Sequence, residues 1–128
     1  MKNRVTGIGG VFFKSKDPKA SKDWYQKHLG FQTDDYGATF RWKKNNGDEA
    51  TTQWSPFKDD TTYFEPSKED FMFNYRVENL VELLETLKNE GVTIVGKMEE
   101  YSYGKFGWIL DPEGNKIELW EPKDEAFK

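Results

Sequence analysis

Two residue patterns divide the chain into predicted strands and helices. Short apolar runs and alternating apolar and polar residues predict strands at 6–14, 31–36, 39–44, 49–54, 71–77, 92–95, 103–110 and 116–120. Asp17–Pro18 is typical of a helix start, and it predicts a first helix over 18–29 that Gly30 ends. Asn79 with Glu82 forms a capping box for a second helix, which Gly91 ends.

The predicted elements repeat as a βαβββ unit. The order is strand, helix and three strands, twice, and Gly30 and Gly91 are 61 residues apart. We therefore predict an α+β fold of two tandem βαβββ modules in one domain, with the mixed sheet curled into a cup. Module one spans about 4–55, a connection about 56–70, module two about 71–121, and a charged, mobile tail 122–128.

Composition and charge limit the classes of partner and chemistry that we expect for this chain. The net charge of −4, with 33% charged residues, argues against nucleic acid. The absence of cysteine excludes disulfides and thiolate chemistry. The apolar run after the N-terminus is too short for a signal peptide or membrane span, so we expect a cytoplasmic protein. Aromatic residues at 16% either fill the core or line a cavity.

A carboxylate interrupts the last predicted strand. Residues 111–115 form a Pro- and Gly-containing turn, after which Ile117 and Leu119 face one way while Glu118 and Trp120 face the other. On the pattern alone, Glu118 is as compatible with a solvated face as with an inner one. Beside Trp120, a buried carboxyl would have a raised pKa and would suit a general base.

Two motifs carry a family resemblance. Asp17–Pro18 with WYQKHLGF at 24–31, and later DPEGNKIEL at 111–119, resemble the vicinal oxygen chelate superfamily. That superfamily contains glyoxalase I, extradiol dioxygenases, bleomycin- and fosfomycin-resistance proteins and methylmalonyl-CoA epimerase. The resemblance covers almost the whole chain. It implies the glyoxalase/bleomycin resistance/dihydroxybiphenyl dioxygenase fold and a homodimer, and it leaves the activity open.

The resemblance also implies where metal ligands would lie. In metal-dependent members the first and last strands of each module supply four ligands, and these positions carry over to Gly10, Gln53, Met72 and Glu118. Glycine offers no ligand, and a thioether does not suit a hard or borderline divalent cation. We therefore expect no metal or other cofactor. The single histidine, His28, falls on the first helix, where packing or surface exposure is its expected role.

The inner face of the cup should carry a group of polar and apolar side chains around Glu118. These are Phe12, Gln53, Met72, Asn74, Arg76 and Trp120. They form either a filled core, with Glu118 paired to a cation, or a small-molecule pocket, which we favour because polar groups converge from four strands. The loop 101–107 is either a pocket rim or an ordinary tight connection.

The predicted function is binding of a small organic ligand in an aromatic-lined cup, without a full metal site. The resemblance to drug-sequestering resistance proteins supports this hypothesis. The alternative is a lyase, isomerase or dioxygenase-type enzyme that is metal-assisted or depends on Glu118. An interaction module without any ligand is a third possibility. Membrane and nucleic acid are not expected partners.

Overall fold

The computed structural model describes residues 4–127 and contains one mixed β-sheet with two α-helices. Its elements follow one another as β1 (Val5–Ser15), α1 (Pro18–Leu29), β2 (Ala38–Lys43), β3 (Glu49–Lys58), β4 (Phe71–Val77), α2 (Leu80–Asn89), β5 (Glu99–Tyr101), β6 (Gly104–Leu110), β7 (Lys116–Pro122) and a 3-10 helix (Asp124–Phe127). The predicted α+β class is confirmed. Three strands follow the helix in the second half, as the βαβββ order requires, whereas within residues 4–127 only β2 and β3 follow the helix in the first half.

The strand order shows how the two halves join. The seven strands lie in the order β2-β3-β1-β4-β7-β6-β5. In the first half β1 is parallel to β3, and in the second half β4 is parallel to β7. The antiparallel pair β1–β4 joins the halves into a continuous sheet. We call β1, α1, β2 and β3 the first module, and β4 to β7 with α2 the second module.

The strand predicted after each helix is wrong in both modules. Residues 31–36 contain only one isolated bridge, from Thr33 to Ala38, because the Asp34 side chain accepts hydrogen bonds from the backbone of Tyr36 and Gly37 and turns the chain. Residues 92–95 likewise contain a single bridge, at Ile94, before Gly96 turns the chain with a positive φ of 70°.

Both helix starts follow the predicted capping chemistry. The side chain of Asp17 accepts from the backbone N–H of Ala20, and that of Asn79 accepts from the N–H of Glu82. Gly30 ends α1 in the left-handed conformation, whereas α2 ends one residue earlier than predicted, at Asn89. Within residues 4–127, neither helix is long and apolar enough to span a membrane.

Apolar packing forms two clusters. One surrounds α2 and contains Val77, Leu80, Leu83 and Leu119. The other lies under the concave side of the sheet and contains Phe12, Phe64, Met72 and Trp108. α1 has no buried residue, and it contacts the sheet through Tyr25, whose ring centroid is 4.7 Å from that of Trp54.

The structure also bears on the predicted connection and on the predicted tail. The connection between modules begins at 59 rather than 56, because β3 continues beside β1 as far as Lys58. The described part of the charged tail contains the 3-10 helix, and its predicted mobility stays a prediction. Asp124 pairs with Arg76, and the ring of Phe127 packs edge-on against Trp120, so the helix is held against the sheet.

Candidate functional site

One line of paired residues crosses the concave face of the sheet. Successive strand pairings place these residues side by side on six strands, and we call them the floor row: Thr39, Gln53, Gly10, Asn74, Glu118 and Trp108. Directly paired residues point to the same face of a sheet. The alternation of short strands therefore brings together residues that are up to 118 − 10, or 108, positions apart in sequence.

Five floor-row residues, all except Gly10, line a cavity of about 900 Å³, which we call the cup. Its walls come from both modules, the 59–70 connection and the 3-10 helix. Ten of the lining residues are aromatic: Phe12, Tyr36, Phe57, Tyr63, Tyr101, Tyr103, Phe106, Trp108, Trp120 and Phe127. A cavity of this size with apolar walls and a few polar groups has the form of a small-molecule site.

Glu118 is the most constrained polar group of the cup. It is 3% exposed, and three neutral groups donate hydrogen bonds to it. Asn74 Nδ2 donates to Oε1 at 2.6 Å, while Trp108 Nε1 donates to Oε2 at 3.0 Å and the hydroxyl of Tyr63 donates to the same oxygen. Burial raises the pKa of Glu118, and the three donors and nearby Lys116 oppose that rise without cancelling it.

Tyr63 lines the cup and reaches the floor row through its hydrogen bond to Glu118. It belongs to the 59–70 connection, and its ring is stacked parallel to that of Phe57 at 5.8 Å. Lys116 Nζ donates to the backbone carbonyl of Tyr63 at 2.7 Å and lies 5.0 Å from its ring centroid. Burial and the neighbouring Glu118 raise the pKa of the Tyr63 phenol, so this side chain remains a hydrogen-bond donor.

Acidic groups stand at two edges of the cup. Asp34 and Asp35 come from the turn before β2, and Glu99 comes from β5, so they approach from opposite ends of the sheet. Glu99 accepts a hydrogen bond from the hydroxyl of Tyr101. Among residues 4–127, no lysine, arginine or histidine lines the cup. Its charged side chains are therefore all carboxyl groups.

The residues predicted for the inner face divide into two groups. Phe12, Gln53, Asn74 and Trp120 line the cup beside Glu118. Met72 does not line the cup, because it is completely buried in the apolar cluster that contains Phe64.

Arg76 also lies outside the cup wall. Its Nη2 contacts both carboxylate oxygens of Asp124, at 2.9 and 2.7 Å, and its Nη1 donates to the carbonyl of Thr51. The guanidinium lies within 5.6 Å of the ring centroids of Trp42 and Trp120. The filled-core alternative paired Glu118 with a cation such as Arg76. Glu118 instead accepts from neutral donors, and Arg76 is paired with Asp124.

The four ligand positions do not fit a divalent metal. A Cβ at Gly10 would lie 2.7 Å from the Phe12 ring, so that ring occupies the space of a ligating side chain. Met72 is enclosed by apolar neighbours, and both oxygens of Glu118 already accept hydrogen bonds. Within residues 4–127 there is no group of three or more His, Cys, Asp or Glu side chains arranged to hold a metal.

Comparison with known proteins agrees with this architecture. The sequence model of one protein family, the glyoxalase/bleomycin resistance protein/dioxygenase superfamily, matches residues 7–119. The chain belongs to this superfamily. Among curated proteins, no match was found.

Solved structures of the superfamily share the fold at low identity. Methylmalonyl-CoA epimerase from Mycobacterium tuberculosis is 23% identical over 99% of this chain and 95% of that chain, with a TM-score of 0.62. A variant of the Streptomyces coelicolor epimerase, in complex with 2-nitronate-propionyl-CoA, is 13% identical over 93% and 99%, with a TM-score of 0.70. A superfamily member from Vibrio splendidus 12B01 is 14% identical over 89% and 97%, with a TM-score of 0.56.

Several residues of this superfamily member's cup were not predicted. Trp108 follows Phe106 by two positions on β6. Strand alternation could therefore have placed both side chains on the cup face of the sheet. Tyr63 had no such signal, because it lies in an irregular connection whose path depends on tertiary contacts. The segment 101–107, for which the sequence left a pocket rim and a tight connection open, includes four cup residues: Tyr101, Ser102, Tyr103 and Phe106.

Proposed function

We propose that this protein binds a small organic ligand inside the cup and does so without a metal. The observation that carries the proposal is the cavity of about 900 Å³, whose walls hold ten aromatic side chains above a single buried carboxyl group. Flat apolar rings provide large contact areas with little loss of conformational freedom on binding. Neutral donors from three separate elements already orient the carboxyl group of Glu118, so the floor is ordered before a ligand arrives.

The metal-free part of the proposal rests on the four ligand positions. A catalytic metal is usually held by three protein ligands with one position open. Here Gly10 and Met72 supply no suitable metal ligand, and the carboxylate oxygens of Glu118 already accept hydrogen bonds from Tyr63, Asn74 and Trp108. Those contacts support a site that holds its ligand by packing and hydrogen bonds.

Binding is tested by a fragment screen on protein dialysed against EDTA, read by chemical-shift changes in ¹H–¹⁵N NMR spectra. We expect saturable shifts at the indoles of Trp108 and Trp120, because both line the cup and both indole N–H groups report on it. The same affinity should be measured after Zn²⁺, Ni²⁺ or Mn²⁺ is added. Binding that appears only with added metal would overturn the metal-free proposal.

A cavity-filling variant localises the binding. Ser55→Trp introduces a large ring into the wall and should weaken binding at least tenfold. Asn89→Trp is the matched control, since it adds the same ring at the exposed end of α2, outside the cup. Equal affinities of the two variants would show that ligands bind elsewhere on the protein.

One observation favours a second candidate, proton transfer by Glu118. The carboxyl group lies at the cup floor, and burial raises its pKa, as is common for general acids and bases. For a bound ligand with an acidic C–H bond, the wild-type protein should exchange that hydrogen for deuterium in D₂O. Glu118→Gln should abolish the exchange, and NMR titration of the same variant should show that the ligand still binds.

A further inference from the structure

The two ends of the cup are closed by different kinds of segment. The floor row lies between two neighbouring rows of paired residues, one of which contains Phe12 and the other Trp120. The 59–70 connection covers the first end, where Phe64 is 1% exposed and belongs to the same apolar cluster as Phe12. Buried aromatic packing therefore fixes that end of the cup.

The opposite end is crossed by residues 123–127, which we call the strap. At its start, the backbone N–H of Lys123 donates to the carbonyl of Tyr103, next to β5, at 3.1 Å. At its other end, Arg41 on β2 donates to the carbonyl of Phe127, a cup-lining residue. Because β2 and β5 are the two edge strands of the sheet, the strap reaches from one edge of the cup to the other.

Charged contacts hold the strap against both edges. Asp124 pairs with buried Arg76 and also lies 3.5 Å from the Nζ of Lys44, directly after β2. Lys123 Nζ lies 4.0 Å from a carboxylate oxygen of Glu100 on β5. Ion pairs with exposed partners contribute little to stability, and salt screens them.

The strap buries little apolar surface. Phe127 is partly buried and packs edge-on against Trp120, and no residue of the 3-10 helix Asp124–Phe127 is fully buried. Segments with few buried apolar contacts open locally at a lower free energy than the core of a protein. The superfamily match ends at residue 119, so the strap is a feature of this chain beyond the matched residues.

We propose that the strap is a gate, and that its release from the β2 edge opens one end of the cup to ligands. The inference rests on the proposed binding function, since it names the route by which a ligand reaches the floor row. With the strap in place, Phe127 closes the end of the cup beside Trp120. With the strap released, that end is open to solvent while the 59–70 connection still closes the other end.

An introduced thiol beneath the strap reports on the gate without any ligand. The chain has no cysteine, so Thr51→Cys provides a single thiol. Thr51 is 2% exposed and lies on β3, which the 3-10 helix contacts. Val77→Cys is the matched control, because Val77 is equally buried but lies in the α2 cluster. The absorbance change on reaction with 4,4′-dithiodipyridine, an uncharged reagent, gives the rate for each thiol.

The two thiols should react at different rates. We expect Thr51→Cys to react at least tenfold faster than Val77→Cys, because local release of the strap exposes the first, whereas exposure of the second requires unfolding around α2. Raising NaCl from about 0.1 M to about 1 M shortens the Debye length from about 10 Å to about 3 Å. This change should accelerate the reaction of Thr51→Cys at least threefold and that of Val77→Cys much less. Equal rates for the two thiols at both salt concentrations would overturn the gate.

Variants at the β2 edge distinguish a gate from a fixed wall. Arg41→Gln with Lys44→Gln removes two contacts of the strap and should accelerate the reaction of Thr51→Cys at least fivefold. Lys43→Gln with Lys58→Gln is the matched control, because it removes the same charge from exposed ends of β2 and β3. A fixed wall would give the same rate in both double variants.

A binding probe connects the gate to the cup. N-phenyl-1-naphthylamine is uncharged and fluoresces in apolar surroundings, so stopped-flow fluorescence measures its association and dissociation. Both rate constants should rise at least fivefold in Arg41→Gln with Lys44→Gln, while the dissociation constant changes less than twofold, because a gate alters the barrier and not the bound state. Unchanged rate constants would show that ligands enter by another route, which overturns the gate but not the binding function.

The proposed function fails in a different way. Thiol reaction needs no ligand, so the strap can be shown to open or to stay closed whatever the cup binds. If the thiols react as expected but neither N-phenyl-1-naphthylamine nor any fragment binds, the proposed binding function is wrong and the strap is a detachable segment without a ligand to admit.

Discussion

In both modules the first and last strands are parallel neighbours, yet the packing that stabilises the two modules differs. α2 buries Leu80 and Leu83 against the sheet, whereas α1 buries none of its residues and leaves Leu29 58% exposed. Apolar packing of the helix is thus concentrated in the second module. A repeated topology therefore does not imply a repeated distribution of stability.

The floor row shows the same asymmetry in its polar groups. In the second module, Glu118 is bonded to Asn74 and Trp108 from neighbouring strands and to Tyr63 from the connection. The first module contributes only the hydrogen bond from Thr39 to Gln53, at 2.8 Å. The hydrogen-bond network around Glu118 thus belongs to the second module and the connection, whereas the first module contributes one separate hydrogen bond to the floor row.

The largest expected effect on the free energy of unfolding comes from replacing a leucine in each of the two helices. Leu80→Ala should lower the free energy of unfolding by about 3 kcal/mol, because it leaves a cavity in the α2 cluster. Leu29→Ala, on exposed α1, should change it by less than about 0.5 kcal/mol. Urea denaturation followed by circular dichroism measures both. Similar losses would contradict the asymmetry of the helices.

The pairing of Arg76 with Asp124 gives the next largest effect. Asp124→Asn leaves a buried guanidinium without its counter-charge and should cost about 2 kcal/mol, less than for a fully buried pair because Asp124 is partly exposed. Glu125→Gln is the matched control, since it removes the same charge from an exposed neighbour. Thermal and urea unfolding of the two variants should therefore differ, and equal stabilities would show that the Arg76 pair contributes nothing.

The protonation of Glu118 gives a pH-dependent effect. Burial raises the pKa of the folded Glu118 carboxyl above its ordinary value of 4.5. At a pH between these two pKa values, the native state keeps its proton whereas the unfolded chain releases it. Wild-type stability should therefore fall relative to Glu118→Gln as the pH rises through the raised pKa. Urea unfolding of both proteins between about pH 4 and 8 tests this. If the wild-type protein instead gains stability relative to Glu118→Gln over that range, the three hydrogen-bond donors lower the pKa of Glu118 more than burial raises it.

The smallest effects compare single hydrogen bonds in the two halves of the floor row. Tyr63→Phe removes a donor to a buried carboxyl group and should cost about 1.5 kcal/mol, whereas Thr39→Val removes a neutral pair and should cost about 0.5 kcal/mol. Tyr63→Phe should also raise the pKa of Glu118 further, which NMR titration of its carboxyl carbon measures. An unchanged pKa would show that Tyr63 does not act on Glu118.

Local patterns were sufficient to predict most of the fold. The caps at Asp17 and Asn79, the stop at Gly30 and the alternation over 71–77 each depend on neighbours in sequence, and the structure follows them. The strands predicted at 31–36 and 92–95 failed because pairing depends on a partner elsewhere in the sheet. The expected homodimer stays a prediction.

The site was less predictable, since it depends on distances between remote residues. Strand alternation put Asn74 and Glu118 on one face, as the structure has them. It also put Met72 and Arg76 there, but depth below the surface, which alternation does not encode, places them outside the cup. Tyr63 reaches Glu118 across 55 residues from an irregular segment, and no local pattern specifies such a contact.

The ring of Phe12 over Gly10 has a consequence for protein engineering. A histidine introduced at Gly10 alone collides with that ring, and a histidine introduced at Met72 alone opens onto the same ring from the paired position on β4. Either single step loses packing and gains no coordination. We therefore expect that a metal site can be engineered into this cup only when Phe12 is replaced together with Gly10 and Met72.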